Sequence, residues 1–179
     1  SSAASDVYKR QIIMSPLVVY YSYSGTTRRL AEDIALIIDG DLRELEPQNP
    51  YSFSYNTAVK EAREEIEKGY CPPLIQGAET IENAEVVFIG SPNWFKTFAP
   101  PVLSFLRTVD LSGKTIIPFC THGGGGFGRM IEDYKKECKN SIIKDGIALK
   151  RDYSFDELKT WLDSCLLYTS DAADDMQCV

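Results

Sequence analysis

The sequence predicts an α/β domain in which helices cover both faces of a doubly wound, five-stranded parallel sheet, giving three layers. Three short runs rich in β-branched and aromatic residues, at 17–21, 85–90 and 115–120, have the composition of strands buried on both faces. Segments of helical periodicity alternate with these strands, and right-handed crossovers then place helices on both faces of a parallel sheet. The expected strand order is 2-1-3-4-5, with a ligand crevice at the carboxyl ends of strands 1 and 3.

The individual elements follow in order along the chain. Strand 1, residues 17–21, precedes a helix with an apolar face, and residues 41–46 alternate leucines with charges in a modest strand 2. After a loop that two prolines favour, the charged segment 55–68 predicts a helix that ends at Gly69. The remaining elements are predicted as a strand at 85–90, a helix at 100–108, a strand at 115–120, a helix at 126–136, an irregular edge strand at 142–149 and a helix at 155–162.

The two ends of the chain are expected to be translated sequencing adapter, and disordered. Residues 1–11 correspond to an adapter-like DNA, and the reverse complement of that DNA, shifted by one base, encodes the run that begins at Cys165. Two tails of independent origin would not be encoded by DNA sequences that are reverse complements of each other. The domain is therefore assigned to residues 12–164, with 1–11 and 165–179 set aside and Met14 as the expected natural start. The alternative is a genuine disordered head and tail.

Composition and charge narrow the class of partner. The chain has 19 basic and 26 acidic residues and a net charge of −7, which argues against nucleic acid or an anionic membrane and is compatible with a basic protein partner. Outside the end segments the cysteines are Cys71, Cys120 and Cys138, with no CxxC spacing and no histidine cluster for a metal. A reduced, cytoplasmic setting is therefore expected. No apolar run approaches the ~20 residues that a membrane-spanning helix needs.

A loop rich in hydroxyl groups follows strand 1, with the sequence Ser22-Tyr23-Ser24-Gly25-Thr26-Thr27. Its hydroxyls, the free N–H groups at the start of the next helix and the positive end of the helix dipole together form a phosphate site that needs no lysine. Gly25 lets the backbone come close to such a phosphate. The alternative is an ordinary capping turn, because Ser and Thr favour such positions.

An aromatic loop follows strand 3, at residues 90–98. It places Trp94, Phe95 and Phe98 on a polar segment after a buried strand. Aromatic side chains beside a phosphate site indicate a stacked planar ring, and Trp94 is the residue expected to stack. The alternative is that these rings pack on the domain's own helices, which is the expectation for Phe98.

A glycine-rich loop follows strand 4, where residues 121–128 contain five glycines in eight positions. This density favours a main chain that approaches something flat and close. A Gly-x-Gly-x-x-Gly match lies within it, but any glycine run produces one, and the dinucleotide fingerprint follows the first strand of its unit. His122, the sole histidine, can tune a bound ring, donate protons or be satisfied by local hydrogen bonds.

The chain lacks the motifs of two other classes of phosphate-handling protein and of one class of hydrolase. No Gly-x-x-x-x-Gly-Lys-Ser/Thr loop is present, which argues against a P-loop nucleotidase. A phosphoacceptor domain of the same topology would need acidic residues after strand 1 and an aspartate after strand 3, where this chain has Ser22 and Ser91. No Gly-x-Ser-x-Gly elbow occurs either.

Taken together, the three loops resemble those of flavodoxins, over essentially all of residues 12–164. The resemblance is carried by YYSYSGTTRRLAEDIA, GSPNWFKTFAPPVLSFL and SGKTIIPFCTHGGGGFGR. The chain is most similar to a bacterial subgroup with a Thr-His-Gly-Gly loop after the fourth strand. It also resembles the short-chain flavodoxins, because no long insertion splits strand 5.

The resemblance implies non-covalently bound flavin mononucleotide (FMN). By position, its phosphate would be held by Ser22, Ser24, Gly25, Thr26 and Thr27. One side of the isoalloxazine ring would be lined by Pro92, Asn93 and Trp94, and the other side by Thr121, His122, Gly123 and Gly124. Lys96 departs from the family pattern, since many relatives have glycine there, and it brings a positive charge near the flavin.

The expected role is a low-potential electron carrier that serves redox partner proteins, rather than a turnover enzyme. In such a protein the flavin carries the redox chemistry, and the chain supplies position and electrostatics. An acidic protein disfavours further negative charge on the cofactor and lowers its potential. The alternative is an NAD(P)H-dependent flavin or quinone reductase on the same fold, with the open glycine loop and Lys96 serving the second substrate. A flavin-binding or ligand-binding domain without physiological electron transfer is the remaining possibility.

Overall fold

Strands and helices alternate along the chain in the computed structural model, which describes residues 15–165 together with Ala3. The strands are β1 (Leu17–Tyr20), β2 (Asp41–Glu44), β3 (Glu46–Pro47), β4 (Leu74–Gln76), β5 (Val86–Pro92), β6 (Thr115–Thr121), β7 (Ile142–Ile143) and β8 (Ile147–Leu149). The helices are α1 (Thr26–Ile38), α2 (Tyr55–Lys68), α3 (Pro100–Thr108), α4 (Met130–Glu137) and α5, residues 155–165. Apart from Ala3 and Cys165, the predictions for the end segments 1–11 and 165–179, and for Met14, lie outside the described residues.

A parallel sheet forms the middle layer, in the order β2-β1-β5-β6, with β7 and β8 both pairing to the outer edge of β6. The predicted order 2-1-3-4-5 is therefore confirmed, with its fifth position divided between two short strands. In register, Tyr20 of β1 lies between Glu44 of β2 and Gly90 of β5. The carboxyl ends of β1, β5 and β6 consequently meet at one edge of the sheet.

The division of the fifth strand has its cause in the neighbouring strand. Lys144 donates its N–H to the Ile116 carbonyl at 2.9 Å, so Ile116 faces the edge strands, and Pro118, two residues on, faces the same side. Proline has no N–H to donate, and the ladder is interrupted there. Gly146 crosses this gap with φ of 71°, where a Cβ atom would lie 2.0 Å from the Pro118 carbonyl oxygen. Only glycine fits so close to that strand.

Helices pack on both faces of the sheet and bury two apolar clusters. Alternate residues of β1 separate the clusters, since Val18 faces α1 and α5 while Val19 faces α2, α3 and α4. The three predicted layers are therefore confirmed. None of the helices in the described part of the chain is long and apolar enough to cross a membrane.

Several local features differ from the prediction. Strand β2 ends at Glu44 and not at 46, and helix α5 extends to 165 and not to 162. Helix α4 begins at Met130 and not at 126, because Gly126 and Gly128 have φ of 60° and 58°, which a right-handed helix cannot contain. Strand β3 and strand β4 form a small antiparallel pair that was not predicted. In contrast, helices α2 and α3 have the predicted bounds, with Gly69 ending α2 in a left-handed conformation.

Candidate functional site

Three loops meet at the carboxyl edge of the sheet, where the strand order predicts a ligand crevice. They are loop 1 (residues 22–25) between β1 and α1, loop 2 (residues 93–99) between β5 and α3, and loop 3 (residues 122–129) between β6 and α4. Every predicted binding residue lies in one of these loops, at the end of β5 or β6, or in the first turn of α1. The loops are close enough to form one site because their strands are neighbours in the sheet.

Hydrogen bonds join loop 2 to loop 3 and to the end of β6, and they join the start of α1 to the end of β6. The hydroxyls of Thr27 and Thr121 lie 2.7 Å apart, and both side chains are buried. The Asn93 N–H donates to the Thr121 carbonyl at 2.8 Å, and the Asn93 side-chain amide donates to the Gly126 carbonyl at 2.6 Å. Asn93 thus holds loop 2 against both the end of β6 and loop 3, and the first turn of α1 is held against the end of β6.

The start of helix α1 has the features of an anion site. The Ser22 hydroxyl accepts a hydrogen bond from the Gly25 N–H at 3.1 Å, and Gly25 turns the chain with φ of 92°. No side chain caps this helix, and its first turn contains no acidic residue, so the positive end of the helix dipole has no anionic partner there. The hydroxyl oxygens of Ser24 and Thr26 lie 3.4 Å apart at the surface. Uncapped N–H groups together with nearby hydroxyls suit a phosphate.

Loop 2 makes a tight turn around Phe95 and Lys96. Trp94 and Thr97 exchange two backbone hydrogen bonds, of 2.9 and 3.1 Å, and the two residues between them have φ of 53° and 69°. Two consecutive residues with positive φ define a type I′ turn, for which glycine is strongly favoured. Lys96 therefore adopts a conformation that suits glycine better than lysine.

The turn in loop 2 packs directly on loop 3. The Arg129 N–H donates to the Lys96 carbonyl at 2.7 Å. A Cβ atom on Gly128 would lie 2.5 Å from that carbonyl oxygen and 2.7 Å from the Lys96 Cα. Gly128 is needed at this point because no side chain fits between the two backbones.

Three tyrosines surround Trp94 with their rings roughly perpendicular to the indole. The ring centroids of Tyr21, Tyr23 and Tyr51 lie 5.6, 5.8 and 5.0 Å from that of Trp94. Edge-to-face contacts of this kind stabilise aromatic clusters beyond the burial of their area. Trp94 itself is half-buried, so its orientation is set by its neighbours while part of it stays open to solvent.

Two carboxylates of helix α2 fix the positions of Tyr51 and Tyr23, one by a direct hydrogen bond and the other through Ser52. Glu65 accepts a hydrogen bond from the Tyr51 hydroxyl. Glu61 accepts one from the Ser52 N–H at 3.0 Å, and the Ser52 carbonyl accepts one from the Tyr23 hydroxyl at 2.7 Å. These positioning residues were not predicted from the sequence. The one feature of the sequence that indicates them is the spacing of four residues between Glu61 and Glu65, which places two acidic side chains on the same helix face.

Burial changes the acidity of several groups near the loops. It raises the pKa of Glu65, although the hydrogen bond from Tyr51 partly opposes the shift. Burial likewise raises the pKa of both Tyr51 and Tyr21, so both phenols are neutral at physiological pH. The thiol of Cys120, beneath loop 3, has its pKa raised by burial to about 12. A thiol with such a pKa is not a nucleophile at neutral pH.

Loop 3 is exposed along its glycines. The Nδ1 atom of His122 accepts a hydrogen bond from the Gly124 N–H at 3.0 Å, and the His122 N–H donates to the Leu149 carbonyl at 3.1 Å. The Nδ1 atom of His122 therefore has a local hydrogen-bond partner, in agreement with the third of the alternatives considered for this residue. No atom lies within 4 Å of a Cβ built on Gly123 or on Gly124. Main chain at these positions faces open space that a flat group can occupy.

The structure places the predicted site residues at one edge but in different environments. The side chains of Thr27 and Thr121 are buried in their mutual contact, whereas Ser24, Gly123 and Gly124 are exposed. The remaining predicted residues are half-buried: Ser22, Gly25, Thr26, Pro92, Asn93, Trp94 and His122. Phe98 packs in the core with its ring centroid 4.8 Å from that of Tyr134, as expected. Within residues 15–165, no group of three or more histidine, cysteine or acidic side chains could hold a metal ion.

The fold and the crevice define the class of the protein. It is a doubly wound α/β protein whose ligand crevice combines a helix N-terminus, an aromatic loop and a glycine loop. The chain belongs to the flavodoxin family, whose sequence model matches residues 15–165. A sequence comparison with curated proteins finds no match.

Solved structures share this fold. A protein assigned as a flavoprotein from Bacteroides eggerthii DSM 20697 is 29% identical over 84% of this chain and 96% of that chain, with a TM-score of 0.73. One from Bacteroides uniformis ATCC 8492 is 24% identical over 84% and 98%, with a TM-score of 0.77. A flavoprotein in complex with FMN from Lactobacillus acidophilus NCFM is 22% identical over 83% and 98%, with a TM-score of 0.65.

Proposed function

We propose that this chain is an FMN-binding flavodoxin that acts as a low-potential electron carrier. The observation that carries the proposal is the convergence of loops 1, 2 and 3 at one edge of the sheet. There the Thr27–Thr121 contact joins the start of α1 to the end of β6, and the two hydrogen bonds of Asn93 join loop 2 to the end of β6 and to loop 3. Support also comes from the family model and from the Lactobacillus acidophilus flavoprotein, whose structure contains FMN on this fold.

The phosphate group of FMN fits the start of helix α1. The uncapped N–H groups there can bind an anion, and the hydroxyls of Ser24 and Thr26 lie beside them at the surface. Ser22 fixes the turn by accepting from Gly25, and the left-handed Gly25 keeps side-chain atoms away. These residues bind the phosphate without a basic side chain; Arg28, the nearest cation in sequence, is paired with Glu44.

In this proposal the ring of FMN lies between Trp94 and the open glycines of loop 3. Tyr21, Tyr23 and Tyr51 orient Trp94, and Gly123 and Gly124 leave main chain accessible on the other wall. When bound there, FMN supplies the redox chemistry, and the residues of the crevice position it and exclude water from its faces. Because the whole chain is acidic, additional negative charge in the crevice is disfavoured, which favours a low potential.

A reduced, cytoplasmic location in a bacterium and protein redox partners complete the proposal. Cys71, Cys120, Cys138 and Cys165 are free thiols in the described residues, which suits a reducing compartment. Membership of the Thr-His-Gly-Gly subgroup rests on the sequence of loop 3 and is proposed on that basis. The negative net charge argues for partners with a basic contact surface, and against nucleic acid or an anionic membrane.

The first experiment measures FMN and riboflavin binding by quenching of flavin fluorescence. Riboflavin lacks the phosphate, so the ratio of the two affinities isolates the phosphate contacts. The double variant Ser24→Ala/Thr26→Val should weaken FMN binding about tenfold or more, because hydrogen bonds to a charged group contribute roughly 1.5–3 kcal/mol, and it should leave riboflavin unchanged. Ser54→Ala, at the uncapped start of α2, is the matched control. Equal affinity for both flavins in the unmodified protein would contradict the proposed site.

The carrier role is tested by anaerobic reductive titration of the FMN-loaded protein. A carrier should take up two electrons in two separated one-electron steps, the second at low potential. A single two-electron step would argue against this role. The titration also reports on Lys96, whose positive charge near loop 2 should raise the potential relative to Lys96→Ala.

A nicotinamide-dependent flavin or quinone reductase is the second candidate function. Two observations favour it: loop 3 is open at Gly123 and Gly124, and Lys96 is exposed on the turn beside it, available to an anionic co-substrate. Steady oxidation of NADH or NADPH by the purified protein, with FMN and a quinone present, would support this function. Turnover no faster than that of free FMN would exclude it in favour of the carrier.

A further inference from the structure

A separate cavity of about 200 Å³ lies between loop 2, Tyr23 and helix α2. Its walls are Trp94, Phe95, Tyr23 and Tyr55, and its floor includes Ala58 and Ala62 of α2. It shares Tyr23, Asn93 and Trp94 with the candidate flavin site, but loop 3 does not line it. The cavity therefore adjoins the flavin crevice and shares two residues of loop 2 with it, but it lies on the α2 side of that loop.

The volume of the cavity selects small ligands. An engineered protein cavity of roughly 150 Å³ binds benzene, whereas pockets for drug-sized ligands have about 300–1,000 Å³. A space of about 200 Å³ accommodates one substituted aromatic ring and excludes both the three-ring flavin and a dinucleotide. Ala58 and Ala62, one helical turn apart, keep the floor flat because neither side chain extends beyond Cβ.

The walls and the rim determine the chemistry of the ligand. Four of the lining residues are aromatic, and aromatic side chains attract a planar ring. Arg63 does not itself line the cavity, but its guanidinium lies over the ring of Phe95, one of the walls, 5.0 Å from the ring centroid. Within residues 15–165, Arg63 forms no ion pair. The amide of Asn93 lines the cavity and can also meet an oxygen substituent. An unpaired cation beside an aromatic chamber favours an aromatic ring that carries a carboxylate.

We propose that this cavity is a second, small-molecule site that binds a monocyclic aromatic acid, with its ring among Tyr23, Trp94 and Phe95 and its carboxylate toward Arg63. The site does not depend on FMN, since it is formed by protein atoms on the α2 side of loop 2. Through Trp94 and Asn93, which line both spaces, a ligand here lies next to the flavin crevice.

The test uses the full chain and 4-hydroxybenzoate as the probe, with binding measured by calorimetry in the presence and absence of FMN. Saturable 1:1 binding is expected in both. Val59→Phe fills the cavity from α2 and should weaken the probe about tenfold or more, because an overfilled cavity has no room for the ring. Ile66→Phe is the matched control, since Ile66 is also half-buried on α2 but lines a different cavity.

Two further variants make the result specific. Arg63→Gln should weaken 4-hydroxybenzoate roughly two- to fivefold, as expected for an exposed ion pair, and should leave phenol binding unchanged. Ala62→Val replaces Val59→Phe if the latter does not fold. Absence of saturable binding, or equal binding by the filled and control variants, would overturn the proposal. Because FMN affinity is measured on the same samples, failure of this site is distinguishable from failure of the flavin site.

Discussion

The hydroxyl groups of Thr27 and Thr121 lie 2.7 Å apart, and the two side chains are 2% and 6% exposed. The residues are 94 positions apart in sequence. Their contact joins the first turn of α1, which is part of the predicted phosphate site, to the last residue of β6, which is part of the predicted ring site. Buried hydroxyls need a partner, and here each serves as the other's.

Replacing one of these threonines should destabilise the protein and weaken FMN binding. Thr27→Val and Thr121→Val keep the shape but leave the remaining hydroxyl buried without its partner, at a cost of about 1–3 kcal/mol each. The double variant removes both groups and should cost less than the sum of the two singles. Urea unfolding measures the three values. Strict additivity would mean that the contact makes no energetic contribution.

Glycine should be required at position 128 because a Cβ atom there would collide with the Lys96 backbone, in addition to the cost of its left-handed conformation. Gly128→Ala introduces a Cβ 2.5 Å from the Lys96 carbonyl oxygen at a φ of 58°. Gly113→Ala is the matched control, because Gly113 has φ of 76° but nothing within 4 Å of its Cβ. The control should lose about 1–2 kcal/mol of unfolding free energy from the left-handed conformation. Gly128→Ala should lose about 1–3 kcal/mol more from overpacking, and it should also bind FMN more weakly.

Lys96→Gly should stabilise the protein. The left-handed conformation at φ of 69° costs a non-glycine residue about 1–2 kcal/mol, and the greater flexibility of glycine in the unfolded chain offsets about half of that gain. The expected net gain in unfolding free energy is about 0.5–1 kcal/mol. Lys96→Ala removes the same charge but keeps the strain, so it should not stabilise. If both variants change stability equally, the lysine charge and not the turn is responsible.

Glu65→Gln should alter how stability depends on pH. The folded pKa of Glu65 is raised above its ordinary value of 4.5, so its favourable contribution is complete below pH 4.5 and is lost as pH rises through the folded value. The glutamine side chain of the variant does not titrate, and its carbonyl oxygen can still accept the Tyr51 hydrogen bond. The unmodified protein should therefore lose stability relative to the variant between acidic and neutral pH, as urea midpoints at several pH values would show. Glu64→Gln, exposed on the same helix, controls for net charge.

Elements whose ends are marked by glycine or proline were predictable from the sequence. Helices α2 and α3 have the predicted bounds because Gly69 ends the first and a proline pair begins the second. The buried strands were recognisable by composition, and the strand order followed from their alternation with helices. From that order, the convergence of the three loops was also predictable, since neighbouring parallel strands end at one edge.

Features that depend on distant residues were not predictable in this way. The break between β7 and β8 is set by Pro118 in the neighbouring strand, and the tyrosines around Trp94 come from two loops far apart in sequence. Strand β3 has two residues, one a proline, and carries no periodic pattern. Which threonine hydroxyl stays open and which is buried also depends on tertiary contacts that a hydroxyl-rich loop does not specify.

The backbone contact between Lys96 and loop 3 bears on how fast a ligand can enter. Because the Arg129 N–H is bonded to the Lys96 carbonyl and Asn93 is bonded to Gly126, neither wall of the crevice can swing outward alone without breaking these links. Opening then requires a concerted displacement of both loops, with the hydrogen bonds intact, or their rupture. Cofactor exchange should consequently be slow and strongly temperature-dependent, with mutations at this junction acting on the release rate more than on the rate of encounter.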